Sequence, residues 1–96
     1  MAEFEFEWDA KKAAANVKEH GITFEEALTV FADPPAKIFA DPDHSNEERR
    51  ELIVGHSAAQ RLLIVSFTER RNRTRVISAR KATVRERQDY EEDTST

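Results

Sequence analysis

Arginines with the spacing of a phosphate-binding surface are concentrated between residues 61 and 81 of this 96-residue chain. Two runs rich in β-branched and aromatic residues, 62–68 and 74–79, flank a polar segment, which predicts a β-hairpin with the loop 71–73. One face of that hairpin carries hydroxyl and guanidinium groups, namely Ser66, Thr68, Arg70, Ser78 and Arg80. Arginine can hold two phosphate oxygens in a fixed fork, so this face suits a phosphate-bearing ligand.

The other face of the predicted hairpin is apolar. A three-residue loop pairs odd positions with odd, which places Phe67 opposite Ile77. Val65 then lies opposite Ala79 on the same face. Strict alternation also directs Lys81 to this apolar face, away from the arginines, unless the strand ends one residue earlier.

Charge is divided unevenly along the chain. Residues 1–60 carry 6 basic and 13 acidic side chains, residues 61–87 carry 9 and 2, and residues 88–96 carry none and 4. The net charge of −4 therefore conceals a basic segment. Its field can attract an anion or a nucleic acid, because charges within about 10 Å dominate at moderate salt. Alternatively, these arginines are solvated or paired with the acidic half.

The hydrophobic pattern predicts one α+β domain that covers residues 1–96, with a frayed tail at 93–96. Its order is β-α-α-β-β-β-β-α, a single, mainly antiparallel sheet with the helices packed on one face. The elements are an alternating strand at 3–8, a helix between Asp9 and Gly21, a helix from the capping box Thr23 to Glu26 up to Asp33, strands at 37–39 and 51–56, the hairpin, and a helix from Thr83 to about Glu92.

The composition argues against several classes of function. There is no cysteine, hence no disulfide or thiol nucleophile, and the three histidines lack the spacing of metal ligands. No run approaches the ~18 apolar residues of a membrane span, and the acidic start is unlike a signal peptide. We therefore expect a soluble, cytoplasmic protein without a metal ion or other cofactor.

Side chains that could exchange protons lie in two further places. His44 and Glu48 occupy a polar loop, where they form either an acid/base cluster or a well-capped surface turn. The spacing alone favours the turn. Lys18 and His20 end the first predicted helix, where such residues usually form a solvated face.

An ordered set of short motifs covers nearly the whole chain and resembles the BrnT toxins of bacterial type II toxin–antitoxin pairs. The motifs are Phe6-Glu-Trp-Asp9, Asn16-Val-Lys-Glu-His-Gly21, Phe24-Glu-Glu-Ala27, Phe31-x-Asp-Pro34, His44-Ser-x-x-Glu-x-Arg50, Thr68-Glu-Arg70, Ile77-Ser-Ala-Arg-Lys-Ala82, Glu86-Arg87 and Tyr90-Glu-Glu92. Glu19 separates Lys18 from His20, so a contiguous Lys-His pair is absent.

The resemblance implies a RelE-like fold and a toxin that arrests translation by cleaving RNA. It also implies neutralisation by a BrnA-like antitoxin of the ribbon-helix-helix class in a hetero-oligomer. Operator DNA would be contacted through the antitoxin.

For such a ribonuclease we predict metal-independent cleavage by the ribose 2′-hydroxyl. This reaction needs a base, positive charge on a phosphorane-like transition state, and an acid for the departing oxygen. Arg70 and Arg80 are our candidates for binding the phosphate, and further RNA contacts are assigned to Arg71, Arg73 and Lys81. Proton transfer is assigned to His44, Lys18 and His20, with Glu48 and Glu69 as orienting partners.

Two other functions compete with this one. A non-catalytic module that binds RNA or the ribosome would block translation by occupancy and would use the same basic hairpin. A DNA-binding regulator is disfavoured because the sequence has no helix-turn-helix signature and no basic recognition helix. Digestion of labelled RNA by the purified protein distinguishes a ribonuclease from the non-catalytic module.

Overall fold

The computed structural model of the chain describes residues 5–41 and 49–94. It confirms the predicted order of elements. These are β1 (Glu5–Glu7), α1 (Ala10–His20), α2 (Phe24–Val30), β2 (Lys37–Ala40), β3 (Arg50–His56), β4 (Leu62–Arg70), β5 (Arg73–Lys81) and α3 (Val84–Thr94). Within the described ranges, no helix has the length and apolar character needed to cross a membrane.

The strands form one five-stranded sheet in the order β1-β5-β4-β3-β2. Strands β2 to β5 make the predicted antiparallel meander. Strand β1 joins the free edge of β5 in the parallel direction, with Glu5 opposite Arg73 and Glu7 opposite Arg75. Two glutamates from the start of the chain are thereby placed beside two arginines of the hairpin.

Helices α1 and α2 pack on one face of the sheet and enclose the main core. Odd-numbered strand residues supply its floor, including Ile53, Val65 and Phe67. The ring of Phe31 packs between two others, tilted against Phe6 and edge-to-face with Phe67, with its centroid 5.1 Å from each of theirs. Burying each such side chain contributes about 1.5–3 kcal/mol, so this face anchors both helices.

The third helix packs on the opposite face, so the prediction that all helices share one face is wrong for α3. Tyr90 is buried against Val54, Leu62 and Ile64, and its hydroxyl donates to the carbonyl oxygen of Pro35 at 3.2 Å. The reason lies in β4, whose residues 62–65 are all apolar. Because alternate residues point to opposite faces, both faces of the sheet are apolar at the start of β4. Helices α1 and α2 bury one of them, and α3 buries the other.

The hairpin is tighter than predicted. The loop is the two-residue turn Arg71-Asn72, with φ angles of 49° and 67°, and Arg73 already belongs to β5. Positive φ at both central residues is typical of the turn that matches the twist of paired strands. The three-residue loop 71–73 is therefore wrong.

A bulge in β5 then restores the predicted pairing. From the turn onward Phe67 lies opposite Val76, but Ser66 lies opposite Ser78, so Ile77 is the extra residue. The predicted pair of Phe67 with Ile77 is wrong, whereas the pair of Val65 with Ala79 is confirmed. Because of the bulge, Arg73 and Arg75 before it and Ser78 and Arg80 after it all lie on the same polar face.

The predicted helix caps are present. Asp9 accepts from the backbone N–H of Lys11 at 2.9 Å, and Gly21 adopts a left-handed φ of 71° after α1. Thr23 accepts from the N–H of Glu26 at 3.0 Å. The carboxylate of Glu26 does not complete that capping box, because it binds Arg61 instead.

Asn16 ties α1 to the part of β5 that β1 does not reach. Its side-chain amide donates to the Ala79 carbonyl at 2.8 Å and accepts from the Ala79 N–H at 3.0 Å, as a neighbouring strand would. The same amide nitrogen donates to the carbonyl of Ile22 at 2.9 Å. Asn16 is 5% exposed, so water cannot easily replace these bonds.

Asn16→Ala should therefore lower the free energy of unfolding by at least about 2 kcal/mol, because it leaves backbone groups buried without partners. Urea denaturation measures the change. Val17→Ala is the matched control, since Val17 is 45% exposed on the same helix and its loss should cost below about 0.5 kcal/mol. Equal losses for the two variants would contradict this role for Asn16.

Candidate functional site

The face of the sheet opposite α1 and α2 collects arginines, and we call it the arginine face. Along the hairpin its cross-strand pairs are Ile64 with Arg80, Ser66 with Ser78, Thr68 with Arg75, and Arg70 with Arg73. Strand β3 adds Arg50, which lies opposite Thr68. The polar face predicted from the alternation is thus present, and the tight turn and the bulge bring Arg73 and Arg75 onto it as well.

A cleft of about 200 Å³ opens on this face around Arg80. Its lining is mainly polar and comprises Asp41, Arg50, Leu52, Ile64, Ser66, Ser78 and Arg80. Asp41 and Arg50 are joined by a backbone hydrogen bond of 3.0 Å from the Asp41 N–H to the Arg50 carbonyl. The sequence analysis gave neither residue a role in the site, because it began β3 at Glu51 and counted Asp41 as part of the polar loop.

Arg80 is held in this cleft by Glu86 of α3. Its Nη1 and Nη2 donate to the two carboxylate oxygens at 2.8 and 2.9 Å, and Nη1 also donates to the Lys81 carbonyl at 3.2 Å. The Arg80 guanidinium, with burial opposing it and the Thr83 N–H assisting, lowers the pKa of Glu86 to about 2. Arg80 thus already binds an oxyanion in the two-point geometry that a phosphate would use.

The same carboxylate caps α3. Glu86 accepts from the Thr83 N–H at 2.8 Å, and its own N–H donates to the Thr83 hydroxyl at 3.1 Å. This completes the capping box predicted from the sequence. One ion pair therefore joins the end of β5 to the start of α3 beside the cleft.

Other basic side chains of the 61–87 segment are also paired with acidic residues from the first part of the chain. Arg73 donates to Glu5 at 3.2 Å, and Arg75 donates to Glu7 at 3.1 Å. The Arg75 hydrogen bond is the main cause that lowers the pKa of Glu7. Arg61 binds Glu26 on the helix-covered side of the sheet. The alternative that acidic residues neutralise the hairpin is therefore correct for part of it.

Arg70, Arg71 and Arg73 lie at the far end of the hairpin, where together with Glu7 they line an open cleft of about 900 Å³. Arg70 is six residues along β4 from the residue opposite Arg80. At about 3.3 Å per residue this is a separation of ~20 Å. The two arginines predicted to bind phosphate can therefore serve one long ligand at two points.

Lys18 and His20 do not line the cleft around Arg80. Both are exposed in the last turn of α1, and the imidazole Nε2 of His20 lies 3.8 Å from a carboxylate oxygen of Glu19. Because Asn16 of the same helix binds the edge of β5, this end of α1 borders the sheet edge. The structure thus does not join Lys18 and His20 with Arg80 in one cleft.

The remaining predicted site residues have varied positions. Lys81 lies opposite Leu63, on the helix-covered side, as strict alternation required. There the pKa of Glu26 is lowered chiefly by Arg61 and to a smaller extent by Lys81. Glu69 is exposed next to the turn. His44 and Glu48 lie outside the described residues.

In residues 5–41 and 49–94, no three His, Asp or Glu side chains lie close enough together to bind a metal ion. The cleft around Arg80 instead offers guanidinium and hydroxyl donors. Such donors bind oxyanions and stabilise negative charge that develops on phosphate oxygens.

Comparison with known proteins bears on the fold and the family of this chain. Residues 8–86 match the family model of the ribonuclease toxin BrnT of type II toxin–antitoxin systems. The crystal structure of the Brucella abortus ribonuclease toxin BrnT is similar, with a TM-score of 0.66 and 23% sequence identity over 84% of this chain and 99% of that one. At this identity the likeness establishes the fold. No individually curated protein matches the chain. The match over most of the sequence means that this chain belongs to the BrnT family of ribonuclease toxins of type II toxin–antitoxin systems.

Proposed function

We propose that this chain is an endoribonuclease that cleaves RNA on its arginine face, by attack of a ribose 2′-hydroxyl on the adjacent phosphodiester and without a metal ion. The observation that carries the proposal is the two-point bond between Arg80 and the Glu86 carboxylate in a cleft with Ser66 and Ser78. A guanidinium has a second pair of adjacent donors, Nε and Nη2, which can bind another oxyanion while the first stays in place. Membership of a ribonuclease toxin family supports the same assignment.

Arg80 can contact a phosphate while it still binds Glu86. A guanidinium has five N–H donors, and three are used by Glu86 and the Lys81 carbonyl. The described structure leaves the Nε–H and one Nη2 hydrogen for a ligand. We assign these donors to the non-bridging oxygens of the scissile phosphate, where negative charge grows in the transition state.

The Ser66 and Ser78 hydroxyls and Arg50 line the same cleft and can orient the phosphate further. Arg50 is therefore added to the RNA-binding residues assigned on this face, Arg70, Arg71, Arg73 and Arg80, whereas Lys81 is dropped because it lies on the helix-covered side.

Proton transfer is assigned to the acid/base candidates from the sequence, together with one carboxylate of the cleft. His44 follows Asp41, a cleft residue, by three positions in the sequence. We retain it as the first candidate for acid or base, with Glu48 as its partner and with Lys18 and His20 as the alternatives at the sheet edge. Asp41 supplies a further carboxylate that the sequence did not suggest.

The partner expected for such a toxin is an antitoxin, which we propose is BrnA-like, has a ribbon-helix-helix fold and carries the operator contact. An apolar groove of about 390 Å³ adjoins the arginine face between the sheet and α3. It is lined in part by Phe39, Leu52 and Tyr90, and it shares Arg80 with the polar cleft. A protein that fills the groove therefore also covers the proposed phosphate site.

Arg80→Ala should lower the rate of RNA cleavage by about 100-fold or more, because it removes a donor to the charged transition state. Arg80→Lys should restore little, since lysine lacks the planar fork. Cleavage of labelled RNA and the melting temperature are measured together.

Glu86→Gln is the matched control for Arg80. It breaks the same ion pair but leaves the guanidinium, so it should lower stability and should slow cleavage less than Arg80→Ala does, because the positive charge remains while its orientation is no longer fixed. If Arg80→Ala cuts RNA at the wild-type rate, Arg80 is outside the site. If both variants melt early and each cuts normally in the cold, Arg80 is a structural brace.

Cleavage should persist in EDTA and should yield ends with a 2′,3′-cyclic phosphate. A single 2′-deoxy substitution at the cleaved nucleotide should abolish it, because the attacking hydroxyl is missing. Loss of activity in EDTA that magnesium restores, with the RNA fold unchanged, would point to a metal-activated water. Binding to RNA without any covalent product would instead favour a module that acts by occupancy.

The antitoxin should protect Arg70 and Arg80 from an arginine-specific reagent, whereas Arg61, which binds Glu26 on the helix-covered side, should react equally in both states. Competition by RNA for the toxin should weaken as salt rises, because RNA binding is largely electrostatic. Protection confined to α1 and α2 would place the antitoxin on the other face and contradict the proposal.

A further inference from the structure

The tip of the hairpin carries a cation that the chemistry at Arg80 does not use. Arg71 is exposed in the two-residue turn, at a φ of 49°. It makes no ion pair with any residue in the described parts of the chain. Arg73 lines the same open cleft at this end of the hairpin, and Glu5 and Glu7 hold it at 3.2 and 3.5 Å. Arg71 is therefore the side chain of this cleft that is most available to a ligand.

The tip and the Arg80 cleft are connected by polar side chains. Between them on the arginine face lie the pairs Ser66 with Ser78 and Thr68 with Arg75. Six residues of β4 separate the two ends, or about 20 Å. One phosphate cannot span that distance, but one nucleic-acid strand can follow it.

Resting on the proposed function, we propose that the hairpin tip is a second phosphate-binding site, which uses Arg71 to hold the same RNA strand away from the cleaved bond. The substrate class is then a single-stranded RNA that extends well beyond the scissile phosphate. A stacked strand has one phosphate per ~3.4 Å, so about six nucleotides cover 20 Å, and fewer suffice if the strand is extended. Arg71 acts on binding and is remote from the reacting atoms.

The test uses strands with one cleavable ribonucleotide in an otherwise 2′-O-methyl chain, lengthened by one nucleotide at a time on either side. For the wild-type protein, KM should fall up to about fivefold once the extension on one side reaches about three to six nucleotides. On the other side no such fall should occur, and kcat should be the same throughout the series.

Arg71→Gln should remove that fall in KM, so that the KM of the variant no longer depends on the length of the extension. It should also reduce the slope of log affinity against log salt by about 0.7, the value for one phosphate contact on a single strand. Arg71→Lys should restore both effects in large part, since the charge is kept. Arg85→Gln, an exposed arginine on α3, is the matched control and should resemble wild type.

A KM that is independent of length on both sides would overturn the second site, as would an Arg71→Gln effect of equal size on the shortest substrate. Failure of the proposed function has a different signature. If the wild-type protein binds the long strands more tightly through Arg71, measured by fluorescence anisotropy, but cuts none of them, the second site stands and the cleavage proposal fails.

Discussion

The ion pair between Arg80 and Glu86 is the constraint on which the rest of the site depends. One carboxylate receives two N–H groups of the guanidinium and the N–H of Thr83, so it fixes the end of β5 and the start of α3 together. Tyr90 on the same helix then covers the apolar end of the arginine face. The pair also sets the direction of the guanidinium and leaves its remaining donors for a ligand. Binding and structure thus use different hydrogens of one side chain.

The composition of the arginine face follows from the geometry of the hairpin. With a two-residue turn and no bulge, Ser78 and Arg80 of β5 would point to the helix-covered side of the sheet. The extra residue Ile77 returns them to the arginine face. Arg73 and Arg75 therefore share a face with Arg80. Strand β1 brings Glu5 and Glu7 beside the first two of these arginines and reduces the positive charge there. Nearby carboxylates thus neutralise part of the positive charge on this face.

Local patterns in the sequence predicted much of this structure. Alternation identified the polar face and the side on which Lys81 lies, and the residues Asp9, Thr23, Gly21 and Thr83 marked the helix ends. These features depend on neighbours within a few positions, so the sequence states them directly.

Features that depend on distant contacts could not be predicted in this way. The bulge at Ile77, the packing of α3 on the opposite face and the pairing of Arg73 with a glutamate 68 residues away all arise from tertiary structure. The same holds for the site, where hairpin residues were identified but Asp41 and Arg50 were not. Arg50 closes one of the motifs that resemble the family but was given no role, because the place of both residues in the cleft depends on how β2 and β3 end. Lys18 and His20 were predicted to transfer protons, but the end of α1 that carries them borders the sheet edge and lies outside the Arg80 cleft.

The most direct test of the central claim follows the Nε–H signal of Arg80 by NMR while a non-cleavable 2′-O-methyl RNA is added. This hydrogen is one of the donors that Glu86 does not use. We predict that the Arg80 signal shifts and saturates with the same affinity as backbone signals of Ser66 and Ser78, while those of α1 and α2 stay in place. An Arg80 signal that does not move while the RNA binds, or shifts confined to the helix-covered side, would contradict the account.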